Sequence, residues 1–377
     1  MTLKRALKIL VVPDKFKGTL TAGEAAEAIQ RGWRSRRPND LLELIPMSDG
    51  GDGFGEILSH QLGATPHTSR TVDAAHRPCD AVWWHRESSA TAIVESAKVN
   101  GLALLPSRRY HPFELDTEGL GRVLKEAATR GAKRFLVGIG GSATNDAGFG
   151  MARALGWQFF NGHGEKLDRW TQLHNLAAVT PPETSGLLEE VIVAVDVQNP
   201  LLGPQGCTRI YGPQKGLRPE DFEFSERCLA RLAHILECEL HLKHAEDPGS
   251  GAAGGLGFGF RSFLGARLEG GFALFAEQVK LKQRLQGVDL VLTGEGAIDA
   301  STLMGKGVGE LAALCQEKRV ACVGFGGVVS DPEQARRLFA ETYSLTPELA
   351  TPEEAMSRPA HYLEQLSERA AATWKER

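Results

Sequence analysis

The chain lacks the features that mark membrane, secreted and nucleic-acid-binding proteins. Its 377 residues carry a formal net charge of −4, and no basic tract is long enough to indicate a nucleic acid partner. No apolar run approaches the ~20 residues of a transmembrane helix. The first apolar run is interrupted by Lys8 and stopped by Pro13, which predicts a buried strand and not a signal peptide. A small-molecule partner, with neither nucleic acid nor membrane, is therefore expected.

Paired cysteines and several catalytic motifs are also missing. The six cysteines form no CxxC pair, which predicts reduced thiols in a cytoplasmic protein. The sequence has no HExxH motif and no GxSxG nucleophile elbow. It also has no Walker A motif, so P-loop NTPases are excluded. A homo-oligomeric assembly stays open.

Glycine, in contrast, is abundant, with 43 residues concentrated in loops that follow apolar runs. Glycine in such loops lets the backbone approach a ligand or adopt positive φ. Thr21 and Glu24 occupy the positions of a helix capping box. Strands are predicted at Leu7–Val12, Leu41–Pro46, Phe135–Val137, Val191–Val195, Val288–Thr293, Arg319–Val323 and Glu341–Leu345, and helices at Ala22–Arg34, Gly53–Leu62, Glu118–Arg130 and Glu220–Leu240. This alternation predicts an α/β protein.

The two ends of the chain resemble each other, and the middle differs. Thr68–Ser96 reads as short antiparallel strands with a turn near Arg86–Ser89. We therefore expect two α/β domains. Residues 1–65 plus 262–377 would form a discontinuous Rossmann- or flavodoxin-like domain with a parallel sheet, and residues 66–261 an inserted mixed α/β domain.

Two acidic loops follow the first two predicted strands, where doubly wound sheets bind ligands. In "PDKFKGTL", Asp14 can act as a base or bind a metal, and Lys17 can meet phosphate or carboxylate. In "MSDGGDG", Asp49 and Asp52 are separated by two glycines. This second loop suits either metal binding or recognition of a hydroxylated substrate.

The loop "GIGGSATNDAG" leaves two interpretations open. Gly138-x-Gly140-x-x-Ala143 matches a loose dinucleotide fingerprint, which favours an NAD(P)-dependent oxidoreductase. That hypothesis needs an acid at the next strand tip, and the nearby candidates lie in a predicted turn. The alternative is a phosphate cradle, because the polar side chains here suit phosphates and a metal ion. The candidate binding residues are Gly140, Gly141, Ser142, Thr144, Asn145 and Asp146.

Three further loops carry candidate residues. Asp196 and Asn199 follow a predicted strand, and Lys215 lies in a Gly-Pro-rich stretch. Gly254 and Gly255 belong to a second predicted glycine loop, Asp247–Gly259. The last loop is predicted to begin after Thr293 and contains Glu295, Asp299 and Lys306.

Together, these acids, amides, hydroxyls and lysines favour phosphoryl transfer. That reaction needs a base for the acceptor hydroxyl, Mg²⁺ and cations to offset developing charge, whereas hydride transfer needs fewer carboxylates. A third hypothesis is a non-catalytic sensor of a sugar acid that kept the site.

The chain resembles the glycerate kinase type I family of bacteria over most of its length. The blocks that carry the resemblance are "PDKFKGTL", "PMSDGGDG", "GIGGSATNDAG", "NPLLGPQG", "YGPQKG", "GSGAAGGLG" and "TGEG", in that order. The resemblance implies ATP-dependent phosphorylation of D-glycerate, usually on the 2-hydroxyl, with Mg²⁺. It also implies two α/β domains with the active site in the cleft between them.

Within this resemblance we assign roles to the candidates. Asp196, with Asp49 as its rival, would orient or deprotonate the acceptor hydroxyl. Ser142, Thr144 and Asn145 would hold phosphate oxygens. Three lysines would neutralise charge: Lys17, Lys215 and Lys306. Glu295 or Asp299 would hold Mg²⁺.

The chain departs from the family pattern at several places. Lys15 stands where the family usually has Ser, and Gln198 where it usually has a second acid. The stretches Glu95–Leu102, Asp116–Val123 and Gly324–Gly327 also differ from the usual family blocks. A related hydroxy acid is therefore an alternative acceptor.

Overall fold

The computed structural model describes residues 5–107, 109–183, 186–304 and 307–375. The chain divides into two compact units: Met1–Asp49 with Phe272–Arg377, here called unit 1, and Gly50–Gly271, here called unit 2. The motif "MSDGGDG" is thus split, with Asp49 in unit 1 and the residues after it in unit 2. The two junctions predicted from the sequence lie elsewhere, after residues 65 and 261.

Unit 1 is built on a parallel sheet with strand order β13-β12-β11-β1-β2. Its strands are β1 Lys8–Val11, β2 Leu41–Leu44, β11 Leu290–Ile298, β12 Ala321–Val329 and β13 Glu341–Thr346. Its helices are α1 Ala22–Arg36, α9 Gly271–Gln278, which starts at the junction, α10 Leu281–Arg284, α11 Ala300–Leu303, α12 Val308–Lys318, α13 Pro332–Ala335, α14 Pro352–Ser357 and α15 Pro359–Thr373. Read from β2, the order is that of a flavodoxin-like doubly wound sheet.

Alternation along the strands explains how this sheet is covered. Ile9, Val11 and Leu292 point to one face and pack with apolar residues of α1 and α15. Helix α1 begins with the expected capping box, in which Thr21 accepts from the backbone N–H of Glu24 and the Glu24 carboxylate accepts from that of Thr21. The apolar side chains on this face of the sheet are therefore buried, as the sequence pattern predicts.

Unit 2 contains a six-stranded mixed sheet and a small hairpin. Its strands are β3 Thr65–Val72, β4 Pro78–Arg86, β5 Thr91–Glu95, β6 Arg134–Gly138, β7 Gln158–Asn161, β8 Leu176–Thr180, β9 Glu190–Ala194 and β10 Arg267–Glu269. Its α-helices are α2 Phe54–Leu62, α3 Ala97–Asn100, α4 Glu118–Thr129, α5 Phe149–Ala154, α6 Cys207–Lys215, α7 Pro219–Leu240 and α8 Ala252–Leu264. Short 3-10 helices lie at Glu87–Ser89, Leu102–Leu104, Pro112–Glu114 and Trp170–Asn175.

The large sheet of unit 2 has the order β10-β9-β6-β5-β4-β3. Strands β3, β4 and β5 pair antiparallel, as the sequence predicts, whereas β5, β6, β9 and β10 run parallel. Two apolar clusters form the core of this unit, one containing Phe135 and Val193 and the other Phe159 and Leu232. The parallel strands end at one edge, which gathers the loops after β5, β6 and β9. The predicted α/β fold class is confirmed, with one parallel and one mixed sheet.

Two strands of unit 1 are longer than predicted. Strand β11 continues through Ile298, and β12 continues through Val329, because the two pair through their glycine-rich halves. A Cβ on Gly294 would lie 2.5 Å from the carbonyl oxygen of Phe325, and one on Gly327 would lie 2.4 Å from that of Gly296. The glycines thus permit close strand pairing and do not mark loops, and the prediction that a loop starts after Thr293 was wrong.

The prediction of a second glycine loop at Asp247–Gly259 is also partly wrong. Residues 252–264 form α8, and Ala253, Gly254 and Gly255 have left-handed backbone angles inside it. A regular helix therefore follows the glycines, and only the kink at its start has the irregular backbone that the sequence predicts. Within the four described ranges, no helix combines the length and apolar character needed to cross a bilayer.

Candidate active site

The acids of unit 1 gather where its strand order reverses, between β1 and β11. Doubly wound sheets bind ligands at this point, beyond the carboxyl ends of the strands. Asp14 follows β1, and its backbone N–H donates to the carbonyl oxygen of Gly294 at 2.8 Å. This bond extends the pairing past the end of β1 and brings Asp14 beside the segment that contains Glu295.

The acids Asp14 and Glu295 are destabilised as anions. The pKa of Asp14 is raised to about 6, mainly by burial and then by the charge of Asp49. Burial also raises the pKa of Glu295 to about 7, with added repulsion from Asp14, Asp299 and Asp49. The Thr302 hydroxyl donates to Glu295 Oε1 at 2.6 Å and acts in the opposite direction. The nearby ammonium of Lys15 lies 3.5 Å from Asp49 Oδ1.

This arrangement fits a divalent cation, which would relieve the repulsion between the carboxylates. Mg²⁺ in nucleotide-dependent enzymes commonly takes only one or two protein carboxylates, and Asp14 and Glu295 meet that need. Asp299 fits less well than predicted, because its Oδ1 accepts from the N–H and hydroxyl of Ser301 at 2.8 and 2.6 Å and caps α11. Those hydrogen bonds lower its pKa.

A ready-made cage of metal ligands is not present at these acids. In the part of the chain that the structure describes, one group of His, Cys, Asp or Glu residues has ligand atoms within 4.8 Å of one another: His76, Asp116 and Glu118. His76 Nε2 lies 2.9 Å from Asp116 Oδ2, and this bond raises the pKa of His76. The group therefore behaves as an ion-pair cluster of unit 2.

Of the two lysines of unit 1 predicted to neutralise charge, the structure describes Lys17 but not Lys306. Lys17 is exposed in a turn bounded by the bridge between Phe16 and Leu20. A Cβ on Gly296 would lie 3.3 Å from the backbone nitrogen of Lys17, so this turn rests against β11. The position predicted for Lys306 lies outside the described residues.

In unit 2, the glycine loop after β6 is stacked on the residues that follow Asp49. The N–H of Gly140 donates to the carbonyl oxygen of Gly50 at 3.3 Å. A Cβ on Gly140 would lie 2.7 Å from Gly51 Cα, and one on Gly141 would lie 3.1 Å from Asp52 Oδ1. Gly141 and Asp52 are exposed, so they form the accessible rim of this loop.

The polar side chains after the rim are buried beneath it. Asp146 is fully buried, and its carboxylate accepts from Thr117, Gly148 and Gly150, with 2.8 Å between Oδ2 and the Thr117 hydroxyl. Burial raises its pKa to about 6, and the charge of Asp116 adds to this. These contacts do not favour the predicted ligand-binding role of Asp146, because its carboxylate stabilises the loop from inside.

A buried lysine lies behind the same loop. Lys215 Nζ donates to the carbonyl oxygen of Thr144 at 2.7 Å, and burial lowers its pKa to about 8. Gly254, with φ of +73°, makes this contact possible, because a Cβ there would lie 1.9 Å from that same oxygen. Gly255 is likewise packed, with Leu201 2.7 Å from where a Cβ would be. Both glycines therefore hold the loop in place from behind.

Asp196 and Asn199, after β9, differ in their exposure and contacts. Asp196 is exposed, and its Oδ1 accepts from the N–H of Gly271 at 3.0 Å. The Asn199 side chain donates to the carbonyl oxygen of Gln205 at 2.7 Å and accepts from the Tyr211 hydroxyl at 2.6 Å. Asn199 thus braces its own loop, and Asp196 presents a carboxylate to solvent.

Two buried residues, one at the end of β5 and one after it, were not predicted from the sequence. Glu95 accepts from the N–H groups of Gly53 and Gly55 at 3.2 and 3.1 Å and so holds the start of α2. Its burial raises its pKa. Asn100 is also buried and contacts Ser142. Both lie in Glu95–Leu102, at or directly after the end of a buried strand, which is the same signal that identified the other loops.

An α/β fold with buried acids in unit 1 and a braced glycine loop with a buried lysine in unit 2 is typical of an enzyme that binds a small, charged substrate. Residues 9–375 match the model of the glycerate kinase family. The chain belongs to this family and is a kinase, which confirms the predicted family and enzyme class. The oxidoreductase and sensor hypotheses are not retained.

Named relatives agree with this assignment. A glycerate kinase from Bacillus subtilis (strain 168) is 33% identical over 374 residues, which cover 98% of each chain. A glycerate 2-kinase from Escherichia coli (strain K12) is 33% identical over 331 residues, which cover 86% of each chain. A crystal structure from Salmonella typhimurium LT2, described as glycerate kinase 2, superposes with a TM-score of 0.85 at 30% identity over 98% of both chains.

Proposed function

We propose that this kinase transfers the γ-phosphoryl group of ATP to D-glycerate in a Mg²⁺-dependent reaction and forms 2-phosphoglycerate. The names of its relatives support glycerate as the acceptor and the 2-position as the site of transfer. The observation in the structure that carries the proposal is the pair Asp14 and Glu295, with pKa values raised to about 6 and about 7 at the point of strand-order reversal. Such a pair is stabilised by the cation that phosphoryl transfer requires.

In this proposal, Asp14 and Glu295 hold Mg²⁺. Bound Mg²⁺ would offset negative charge on the transferring phosphoryl group. The exposed ammonium of Lys17 attracts phosphate oxygens on the same unit. Lys215 contributes positive charge behind the glycine loop of unit 2, where burial makes that charge effective over a short range.

Asp196 is our proposed base for the acceptor hydroxyl. Its carboxylate is exposed and is oriented by the N–H of Gly271. It takes the hydroxyl proton as the hydroxyl oxygen bonds to the γ-phosphorus and the bond from that phosphorus to the leaving ADP oxygen breaks. The rival base, Asp49, has the Lys15 ammonium 3.5 Å from its Oδ1, which competes for the lone pairs that would accept the proton.

The test is a coupled ADP-release assay with D-glycerate, L-glycerate and related hydroxy acids, followed by ³¹P NMR of the product. We expect ADP release with D-glycerate, dependence on Mg²⁺ and a 2-phosphoglycerate signal. A preparation of Asp196→Asn controls for contaminating kinases. No turnover with any acceptor would overturn the proposal, and a 3-phosphoglycerate product would overturn its regiochemistry. We further place the activity in the cytoplasm, in keeping with the six free cysteines.

A further inference from the structure

Two buried amide oxygens beside the glycine loop have no hydrogen-bond partner among the described residues. They are Oδ1 of Asn100, whose residue is 1% exposed, and Oδ1 of Asn145, whose residue is 0% exposed. Each side chain uses its Nδ2, which donates to Ser142 Oγ at 3.4 Å in Asn100 and to Thr208 Oγ1 at 3.1 Å in Asn145. An unpaired buried acceptor costs about 1–3 kcal/mol, so each one needs an explanation.

The backbone places Asn100 directly against the glycine loop. The N–H of Ala143 donates to the carbonyl oxygen of Asn100 at 2.8 Å, and the N–H of Leu102 donates to that of Gly141 at 2.9 Å. Gly101 and Ser142 form an antiparallel bridge between these two bonds. Asn100 is therefore held next to Ser142, one residue from the exposed Gly141 of the rim.

The donors and acceptors of this loop favour one kind of ligand group. A phosphate group at neutral pH mainly accepts hydrogen bonds, so a phosphate cradle must offer free N–H groups. Here the N–H groups of Gly140, Ala143 and Thr144 already donate to Gly50, Asn100 and Ser142 at 3.3, 2.8 and 3.2 Å. The Oδ1 atoms of Asn100 and Asn145 are buried acceptors left without a donor among the described residues, and an acceptor is complemented by an O–H group.

We propose that Asn100 is a specificity-determining residue whose Oδ1 accepts a hydrogen bond from a hydroxyl group of the hydroxy-acid substrate. This inference rests on the proposed function and deepens it, because it gives this part of the glycine loop to the acceptor and not to the phosphates of ATP. Asn145 Oδ1 offers a second acceptor of the same kind. The stability lost by leaving these oxygens unpaired is recovered when the substrate binds.

The variant that tests this is Asn100→Leu, which has a similar branched shape and no polar atoms. Removing the unpaired Oδ1 relieves a desolvation cost, and removing the long 3.4 Å contact of Nδ2 with Ser142 Oγ loses only a weak bond, so we expect a nearly unchanged unfolding temperature. We expect D-glycerate affinity, measured by calorimetry, to fall about 3- to 10-fold, as loss of one hydrogen bond implies. ATP affinity should not change.

Two analogues identify the hydroxyl. 3-Hydroxypropionate lacks the 2-hydroxyl of glycerate, and D-lactate lacks the 3-hydroxyl. The analogue that lacks the hydroxyl bound by Asn100 should bind equally to wild type and Asn100→Leu. Ser225→Ala is the matched control, because it removes another unpaired buried oxygen, on α7, far in sequence from the loop. It should not lower the unfolding temperature and should leave D-glycerate affinity unchanged.

Three results would overturn the assignment: a lower unfolding temperature in Asn100→Leu together with weaker binding of every ligand, weaker binding of ATP alone, or unchanged D-glycerate affinity. Wild-type protein that binds none of the hydroxy acids would overturn it as well. A different result tests the proposed kinase reaction separately from the Asn100 contact. Wild-type protein that binds D-glycerate in an Asn100-dependent manner but releases no ADP would contradict the kinase reaction and uphold the hydroxyl contact.

Discussion

At the end of the unit 1 sheet, burial and the charges of neighbouring carboxylates raise the pKa values of Asp14 and Glu295 to about 6 and about 7. In unit 2, the buried carboxylate of Asp146 is surrounded by donors from Thr117, Gly148 and Gly150. The pKa of Asp146 is raised to about 6 as well, so the two sets differ in hydrogen bonding and not in the size of the shift. Asp146 accepts four hydrogen bonds from the fold, whereas among the described residues Asp14 and Glu295 accept one each, from Lys15 and Thr302, and a cation would relieve their remaining repulsion. A buried acid therefore indicates a ligand site only when its own neighbours fail to satisfy it.

The largest effect should come from Asp196, the exposed carboxylate of unit 2. Asp196→Ala should reduce kcat by about 10²–10⁴-fold, the usual contribution of a general base, with an unchanged unfolding temperature. Asp80→Ala, which removes an exposed carboxylate on β4, is the matched control and should retain full turnover. Near-normal turnover of Asp196→Ala, with a severe loss in Asp49→Asn, would move the base to unit 1.

The bracing of the unit 2 loop can be broken at Gly254. Gly254→Ala should lower the free energy of unfolding by about 3 kcal/mol or more. The new Cβ overlaps the carbonyl oxygen of Thr144, and the alanine must adopt a positive φ. Gly265→Ala, at the end of the same helix, also has positive φ but meets nothing within 4 Å. It should lose only about 1 kcal/mol. Equal losses in urea denaturation would show that packing on Thr144 is unimportant.

The uncompensated acids of unit 1 predict a pH dependence of stability. The pKa of Glu295 is raised from 4.5 to about 7 in the folded state, so the folded state binds this proton more tightly than the unfolded state. Its contribution is fully present below pH 4.5 and is lost as pH rises to about 7. Solvent screening at this partly exposed group reduces the ~3 kcal/mol that the full shift would give, so between these limits wild type should lose about 1–2 kcal/mol more than Glu295→Gln.

Urea denaturation across this pH range measures that difference. Glu277→Gln, on the exposed surface of α9, is the control and should follow wild type. A bound cation would offset the repulsion between the carboxylates. Mg²⁺ at alkaline pH should therefore raise the unfolding temperature of wild type more than that of Glu295→Gln. Parallel pH curves for wild type and Glu295→Gln would remove the acid pair from the proposed site.

The smallest effect concerns the lysine behind the unit 2 loop. The pKa of Lys215 is lowered to about 8, so its charge is lost as pH rises through that value. We expect kcat/KM to fall about tenfold per pH unit above it. Lys215→Met, which has no ionisable group, should be less active and lack this alkaline limb. An identical limb in Lys215→Met would assign it to another group.

The sequence was sufficient for the fold class but not for the direction of the site side chains. Alternating apolar runs predicted the sheets, and local chemistry predicted the capping box of Thr21 and Glu24, because both signals act within a few residues. Asp146 and Asp14 look alike in sequence, as acids after a buried strand. What separates them is the set of donors supplied from distant positions, such as Thr117.

Glycine patterns were the main source of error. A glycine can serve a turn, a left-handed angle or a close approach of two chains, and the sequence does not distinguish these uses. In β11 and β12 the glycines allow strand pairing, and Gly254 allows contact with Thr144. Asn100 was not predicted from the sequence, because only the structure shows that its oxygen lacks a hydrogen-bond partner among the described residues.

The covering of α1 by α15 has a consequence for synthesis on the ribosome. Ser367 donates to the carbonyl oxygen of Ile29, 338 positions earlier, at 2.7 Å, and a Cβ on Gly32 would lie 2.0 Å from the carbonyl oxygen of Glu364. Unit 2 is contiguous and has all its strands once residue 271 has emerged. The apolar face of α1 stays uncovered until almost the whole chain has been translated. Nascent unit 1 is therefore the part that needs protection from aggregation.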